Sequence, residues 1–141
     1  MIVYAESSAV LAWLLGESNA AGAQQTLTGA ERVVTSAITA AECGRAIGRG
    51  RREGRLSAPE ELAALRLLDV AERNWDVHPV SDRVLARARG RFPIEPVRTL
   101  DAVHLATAGL FQQALGRLTM LSFDDRIRAN AEALGIDVDA W

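Results

Sequence analysis

Ile2-Val3-Tyr4-Ala5-Glu6-Ser7-Ser8-Ala9-Val10-Leu11-Ala12-Trp13-Leu14-Leu15 opens the chain. A short β-type run, Ile2 to Ala5, meets Ser7-Ser8, a helix-capping signal, and residues from Ala9 to Leu15 then favour a helix. A strand that passes at once into a helix is the opening of a β-α unit, and the same succession recurs along the chain. Residues 18–28 read as a helix ending near Gly29, and Arg32 to Thr35 as a second strand. Ser36 caps a helix from Ala37 to Arg49, whose far end Gly48, Gly50 and Gly54 weaken. Ser57-Ala58-Pro59-Glu60 combines a cap, an early proline and an acid at the third position, and predicts a helix to Asn74. Trp75 to Val80 is a third strand, and Ser81-Asp82 opens a helix to Arg91. Phe92 to Arg98, with Pro93 and Pro96, is a loop. Thr99 caps an almost wholly apolar helix, Leu100 to Leu115; Thr119 to Phe123 is a strand, Asp125 to Leu134 a helix, and Ile136 to Val138 a last short strand. Strands alternating with helices from end to end predict an α/β fold with a short, mostly parallel sheet and helices on both faces.

The length bounds this reading. The 141 residues, 49% apolar and 24% charged, fit one compact domain, 1–141, and are too few for two ordinary ones. A net charge of −2 excludes a basic nucleic-acid coat. Cys43 is the single cysteine, so no internal disulfide forms. All 16 basic residues are arginine, which excludes lysine-based catalysis, whether Schiff-base or P-loop. The apolar start contains Glu6 and lacks a basic leader, and no run of about 18 apolar residues occurs. The expectation is a soluble cytoplasmic protein with no membrane segment.

In an open parallel sheet, ligands bind beyond the carboxyl ends of the strands. Glu6 ends the first strand, Asp124 and Asp125 follow the fourth, Asp101 sits in the first turn of the apolar helix, and Glu42 lies one turn or so into the helix after the second strand. Carboxylates crowded at one edge repel unless a cation or a proton intervenes. Hard oxygen ligands suit magnesium or manganese. Each acid taken alone has a plainer reading. Asp101 complements a helix dipole, Asp124 caps the last helix, and Glu42 pairs with Arg45 or Arg49 along its own helix. Glu6, at the end of a nearly buried strand, needs a partner.

Four segments together resemble the PIN-domain family, and within it the VapC-type toxins of bacterial toxin–antitoxin modules. They are Ile2 to Val10, Thr39 to Ala46, Leu100-Asp101-Ala102-Val103-His104-Leu105-Ala106-Thr107-Ala108, and Leu121-Ser122-Phe123-Asp124-Asp125-Arg126. The third is the most specific, and the four follow in the family's order. The resemblance implies a three-layer α/β/α sandwich and a magnesium- or manganese-dependent endoribonuclease. It implies Glu6, Glu42, Asp101 and Asp124 as catalytic metal ligands, with Ser8 in support. It also implies a homodimer, an RNA substrate and a cognate antitoxin. One departure stands out: the family has an aspartate where this chain has Glu6. The extra methylene moves the carboxylate by about an ångström, and magnesium demands near-ideal octahedral geometry. Either the pocket has adapted to the longer arm, or the nuclease is weak.

Arg45, Arg49, Arg51, Arg52 and Arg55 form a basic run beyond Glu42. It reads either as a solvated helix end or as a clamp for RNA phosphates, with Arg45, Arg49 and Arg52 as the candidates. Arg83, Arg87 and Arg91 make a solvated stripe. His104 reads as a core filler, His78 as structural, and Trp13, Trp75 and Trp141 as packing or interface residues. Two rivals stay open: a PIN-like binding module that has lost catalysis, which Glu6 keeps alive, and a small phosphatase or receiver-like domain, against which the lack of lysine speaks.

Overall fold

The computed structural model describes residues 1–139, so Trp141 lies outside the described residues. Among the described residues, five strands are interleaved with seven helices: β1 (Ile2–Ala5), α1 (Ser7–Leu14), α2 (Ala21–Gly29), β2 (Arg32–Ser36), α3 (Ala37–Arg52), α4 (Ala58–Asn74), β3 (Asp76–His78), α5 (Asp82–Ala88), α6 (Thr99–Leu115), β4 (Thr119–Leu121), α7 (Asp125–Ala133) and β5 (Asp137–Val138). The strands form one sheet in the order β3-β2-β1-β4-β5, and every pairing is parallel.

β1 is the central strand, flanked by β2 and β4. Its run Val3-Tyr4-Ala5 is wholly buried, which is why it is apolar throughout instead of alternating. Val3 and Ala5 face α1 to α4. There they pack with Ala9, Val10, Ala23, Cys43, Ile47 and Leu68. Tyr4, Val34 and Met120 face the opposite layer, against Ala102 and Leu105 of α6 and Ile127 and Ala131 of α7. α5 packs on α6 through Val84, Val103 and Ala106. Two helical layers therefore enclose the sheet, the α/β/α sandwich expected from the sequence. Each fully buried aliphatic side chain in these layers contributes roughly 1.5–3 kcal/mol.

The connections explain where a site can form. β1, β2 and β3 follow one another outward in one direction, and the chain then returns past β1 to lay down β4 and β5 on the other side. The strand order reverses between β1 and β4, and loops leaving the carboxyl ends diverge there, opening a crevice.

Local signals differ from the sequence expectation in a few places. The Ser57–Glu60 capping box forms with both reciprocal bonds, at 3.2 and 3.0 Å. α3 runs on past Arg49 to Arg52 despite its glycines, and Gly50 fits closely against Leu56; a Cβ there would lie 3.2 Å from Leu56 Cδ1. α2 starts at Ala21, not 18, and β4 ends at Leu121, short of Phe123. α6 starts at Thr99 itself, with Arg98 in the cap position and no side-chain cap bond. α1 begins at Ser7, and its cap is the Glu6 side chain, not a serine.

Candidate active site

Glu6 leaves β1 in extended conformation, and its carboxylate turns back over the first turn of α1. Oε2 accepts from Ser8 N at 3.1 Å, from Ser8 Oγ at 2.5 Å and from Ser122 Oγ, in the loop after β4, at 2.7 Å. The residue is 4% exposed. A buried carboxylate is tolerated only with such donors.

Glu42 projects from α3 toward α1 and α6. Its Oε1 accepts from Ser7 Oγ at 2.7 Å and lies 2.6 Å from His104 Nε2. Burial alone would raise its pKa, but the hydrogen bonds of His104 and Ser7 outweigh burial and hold the carboxyl below its usual range. The plainer expectation, an ion pair with Arg45 or Arg49, is absent among the described residues; the partners come from other elements. His104 is likewise more than a core filler. It is wholly buried, as expected, yet both ring nitrogens are engaged.

Asp101 occupies the first turn of α6, where the helix dipole favours a negative charge. Arg98 Nε lies 3.4 Å from its Oδ2. Asp124 caps α7, its Oδ1 accepting from Arg126 N at 2.9 Å and Ile127 N at 3.1 Å. The capping reading of Asp124 is thus correct, and it leaves Oδ2 available.

All four acids line one open pocket of about 430 Å³, with Ser8, Arg45, Arg49, Arg98 and Leu100 also in its wall. The pocket lies at the carboxyl ends of β1 and β4. Arg52 is exposed and is not among its lining residues. A second pocket of about 520 Å³ shares Arg98 and Asp124 and continues past Phe123, Asp125 and Arg126. Cys43 also borders the first pocket; burial pushes its thiol up to about 12, so it presents no thiolate at neutral pH.

The donor set is hard oxygen. In each acid one carboxylate oxygen is fixed by protein hydrogen bonds or Arg98, and the second is spared. Among the described residues, no group of three or more His, Cys, Asp or Glu side chains is drawn together tightly enough to hold a metal ion. The set therefore fits a cation that binds through one or two carboxylates and keeps its waters, as magnesium commonly does. It does not fit an ion needing a closed protein cage.

The PIN domain profile matches residues 3–133. The chain belongs to the PIN-domain family. Among curated relatives, it is similar to Ribonuclease VapC46 of Mycobacterium tuberculosis (strain ATCC 25618 / H37Rv), with 36% identity over 138 residues, 98% of this chain and 96% of that protein. Ribonuclease VapC35 of Mycobacterium tuberculosis (strain CDC 1551 / Oshkosh) is 32% identical over 109 residues, 77% of this chain and 73% of that protein. Among solved structures, the PIN chain superposes on Mycobacterium tuberculosis VapC20, described as a Sarcin-Ricin loop cleaving toxin, with a TM-score of 0.66 and 18% identity. That match covers 90% of this chain and 93% of the other. PAE2754 from Pyrobaculum aerophilum gives a TM-score of 0.63 at 20% identity, covering 98% and 83%. At these identities the structural matches establish the PIN fold. No helix among the described residues is long and apolar enough to cross a membrane.

Proposed function

We propose that this PIN chain is a divalent-metal-dependent endoribonuclease, the toxin of a toxin–antitoxin pair, acting in the cytoplasm as a single domain, 1–141, within a homodimer. The observation that carries the reading is the meeting of Glu6, Glu42, Asp101 and Asp124 in one pocket with Arg45, Arg49 and Arg98 on its wall. Opposite charges side by side suit a phosphodiester substrate: the arginines attract phosphates, and a hydrated cation would bind through one or two of the acids. The similarity to Ribonuclease VapC46 over nearly the whole chain supports an RNA substrate and an antitoxin partner.

Magnesium or manganese, when bound, supplies a polarised water and positive charge beside the scissile phosphate. One or two of the spared oxygens of Asp101, Glu42, Asp124 and Glu6 would hold it, with water completing its shell. Ser8 and Ser122 fix Glu6, and Ser7 and His104 fix Glu42. Arg98 partly neutralises Asp101 and reaches both pockets, so a strand leaving the first can follow it into the second.

The test is cleavage of a generic fluorescent RNA by purified protein with Mg²⁺, Mn²⁺ or chelator, alongside Asp101→Asn. Cleavage with cation, none with chelator, and at least a hundredfold loss in the variant are expected. RNA bound but never cleaved, with either cation, would instead favour the binding-module reading that Glu6 keeps open.

A further inference from the structure

His104 stands three residues beyond Asp101 on α6, on a neighbouring stretch of the same helix face. Its ring joins elements from both helical layers. Nε2 lies 2.6 Å from Glu42 Oε1 on α3, 3.0 Å from Ser7 Oγ on α1 and 3.9 Å from Glu6 Oε1. Nδ1 lies 2.9 Å from the hydroxyl of Tyr4 on β1. Ser7 Oγ also donates to Glu42 Oε1 at 2.7 Å.

A ring that merely filled space would need none of these bonds, since a leucine occupies similar volume among Ala102, Leu105 and Tyr4. The proton inventory gives the arrangement a direction. A carboxylate oxygen only accepts, so the bond to Glu42 requires hydrogen on Nε2. Nδ1 meets the Tyr4 hydroxyl at 2.9 Å, so both ring nitrogens are tied to other elements. The chain of contacts runs Tyr4 to His104 to Glu42.

We infer that His104 is a positioning residue of the nuclease site: held by Tyr4, it fixes one oxygen of Glu42 and so aims the other into the acidic pocket. The inference rests on the metal-dependent nuclease reading. Glu42 is half-buried and has three side-chain torsions to settle; without an anchor it would sample rotamers that point away from Asp101. Partners of this kind, one bond behind a ligand, typically affect metal affinity by 10–100-fold.

The experiment compares wild type with His104→Leu, His104→Gln and Tyr4→Phe. Mn²⁺ affinity is read by electron paramagnetic resonance on RNA-free protein, RNA cleavage is followed over a Mn²⁺ titration, and metal-free melting is recorded for each. His104→Leu is expected to weaken Mn²⁺ binding by 10–100-fold, with cleavage recovering at high Mn²⁺. His104→Gln, whose amide can still donate to Glu42, should restore most of the affinity, and Tyr4→Phe should lose several-fold. A folded His104→Leu with wild-type Mn²⁺ affinity, or a Gln variant no better than Leu, overturns the inference. If the Leu variant does not fold, Tyr4→Phe decides: a several-fold loss supports positioning, and unchanged affinity overturns it. Wild-type protein that takes up no Mn²⁺ overturns the nuclease reading itself, and the inference falls with it.

Discussion

Ser122 Oγ donates a 2.7 Å hydrogen bond to Oε2 of Glu6, 116 residues earlier in the chain, and so ties the loop after β4 to the end of β1. The same hydroxyl accepts from Asp124 N at 3.0 Å. One fully buried side chain therefore sets the position of two of the four acids, across the point where strand order reverses. Removing it leaves a buried carboxylate oxygen short of a donor, which costs about 1–3 kcal/mol. Ser122→Ala is expected to lower unfolding stability by that amount in a urea titration and to reduce RNA cleavage. A stability change under about 0.5 kcal/mol would show that Ser8 alone satisfies Glu6.

Glu6→Asp answers the question of whether the pocket has adapted to the longer arm. Glu6 Oε2 reaches three donors at once, Ser8 N, Ser8 Oγ and Ser122 Oγ. A side chain shorter by one methylene keeps the helix cap, because aspartate is a good capping residue, but withdraws from Ser122. The geometry favours adaptation. Glu6→Asp is expected to cost about 1 kcal/mol of stability and to cleave RNA more slowly than wild type under single-turnover conditions. Faster cleavage would show that the pocket still favours the aspartate.

Much of this was readable from local sequence. The β1 run, the Ser57–Glu60 box and the strand–helix alternation depend on neighbours within a few residues, and they form as expected. Position just past a strand or early in a helix, where a parallel sheet gathers its loops, marked five acids as candidates, and the family resemblance narrowed them to Glu6, Glu42, Asp101 and Asp124, which line one pocket. Glu6 as a helix cap was hidden, because Ser7-Ser8 is the better capping signal and the competing bond comes from Ser122, far along the chain. His104 was hidden for the same reason. Its helix is apolar, and its partners Tyr4, Ser7 and Glu42 are separated from it by 100, 97 and 62 residues. Periodicity reports burial; it does not report which polar atoms meet once buried.

The depressed Glu42 carboxyl has a consequence for acid stability. Burial works against its ionisation, but the His104 and Ser7 hydrogen bonds prevail, so the folded protein holds this proton less tightly than the unfolded chain. Such a group stabilises the fold at pH values above the unfolded pKa, about 4.3 for glutamate. That contribution disappears as pH falls through the lower folded value. Glu42→Gln lacks the titration. The stability difference between wild type and Glu42→Gln is expected to be level from about pH 5.5 down to about 5 and to shrink steadily below about 4.3. Urea midpoints measured for both proteins between these limits and pH 3 check it; a difference that stays constant across that range would mean that Glu42 titrates normally.

The arginines of α3 divide into two groups that the sequence alone left together. Arg45 and Arg49 are one helical turn apart and both line the acidic pocket, whereas Arg52 is exposed beyond it. Among the described residues neither Arg45 nor Arg49 has an ion-pair partner, although Glu42 precedes Arg45 by three positions on the same helix. Their charge is therefore available to phosphates. Each phosphate contact on a single strand releases counterions and contributes roughly 0.7 to the slope of log affinity against log salt. Arg45→Gln with Arg49→Gln is expected to weaken binding of unrelated RNA sequences alike and to flatten that slope by about 1.4. Arg52→Gln should leave both unchanged. The measurement is fluorescence anisotropy across a salt series, with chelator present so that no RNA is cut during the titration. Equal slopes for wild type and the double variant would return Arg45 and Arg49 to the role of a solvated helix end. A loss in Arg52→Gln as large as in the pair would mean that RNA follows α3 beyond the pocket instead of crossing Arg98 toward Arg126.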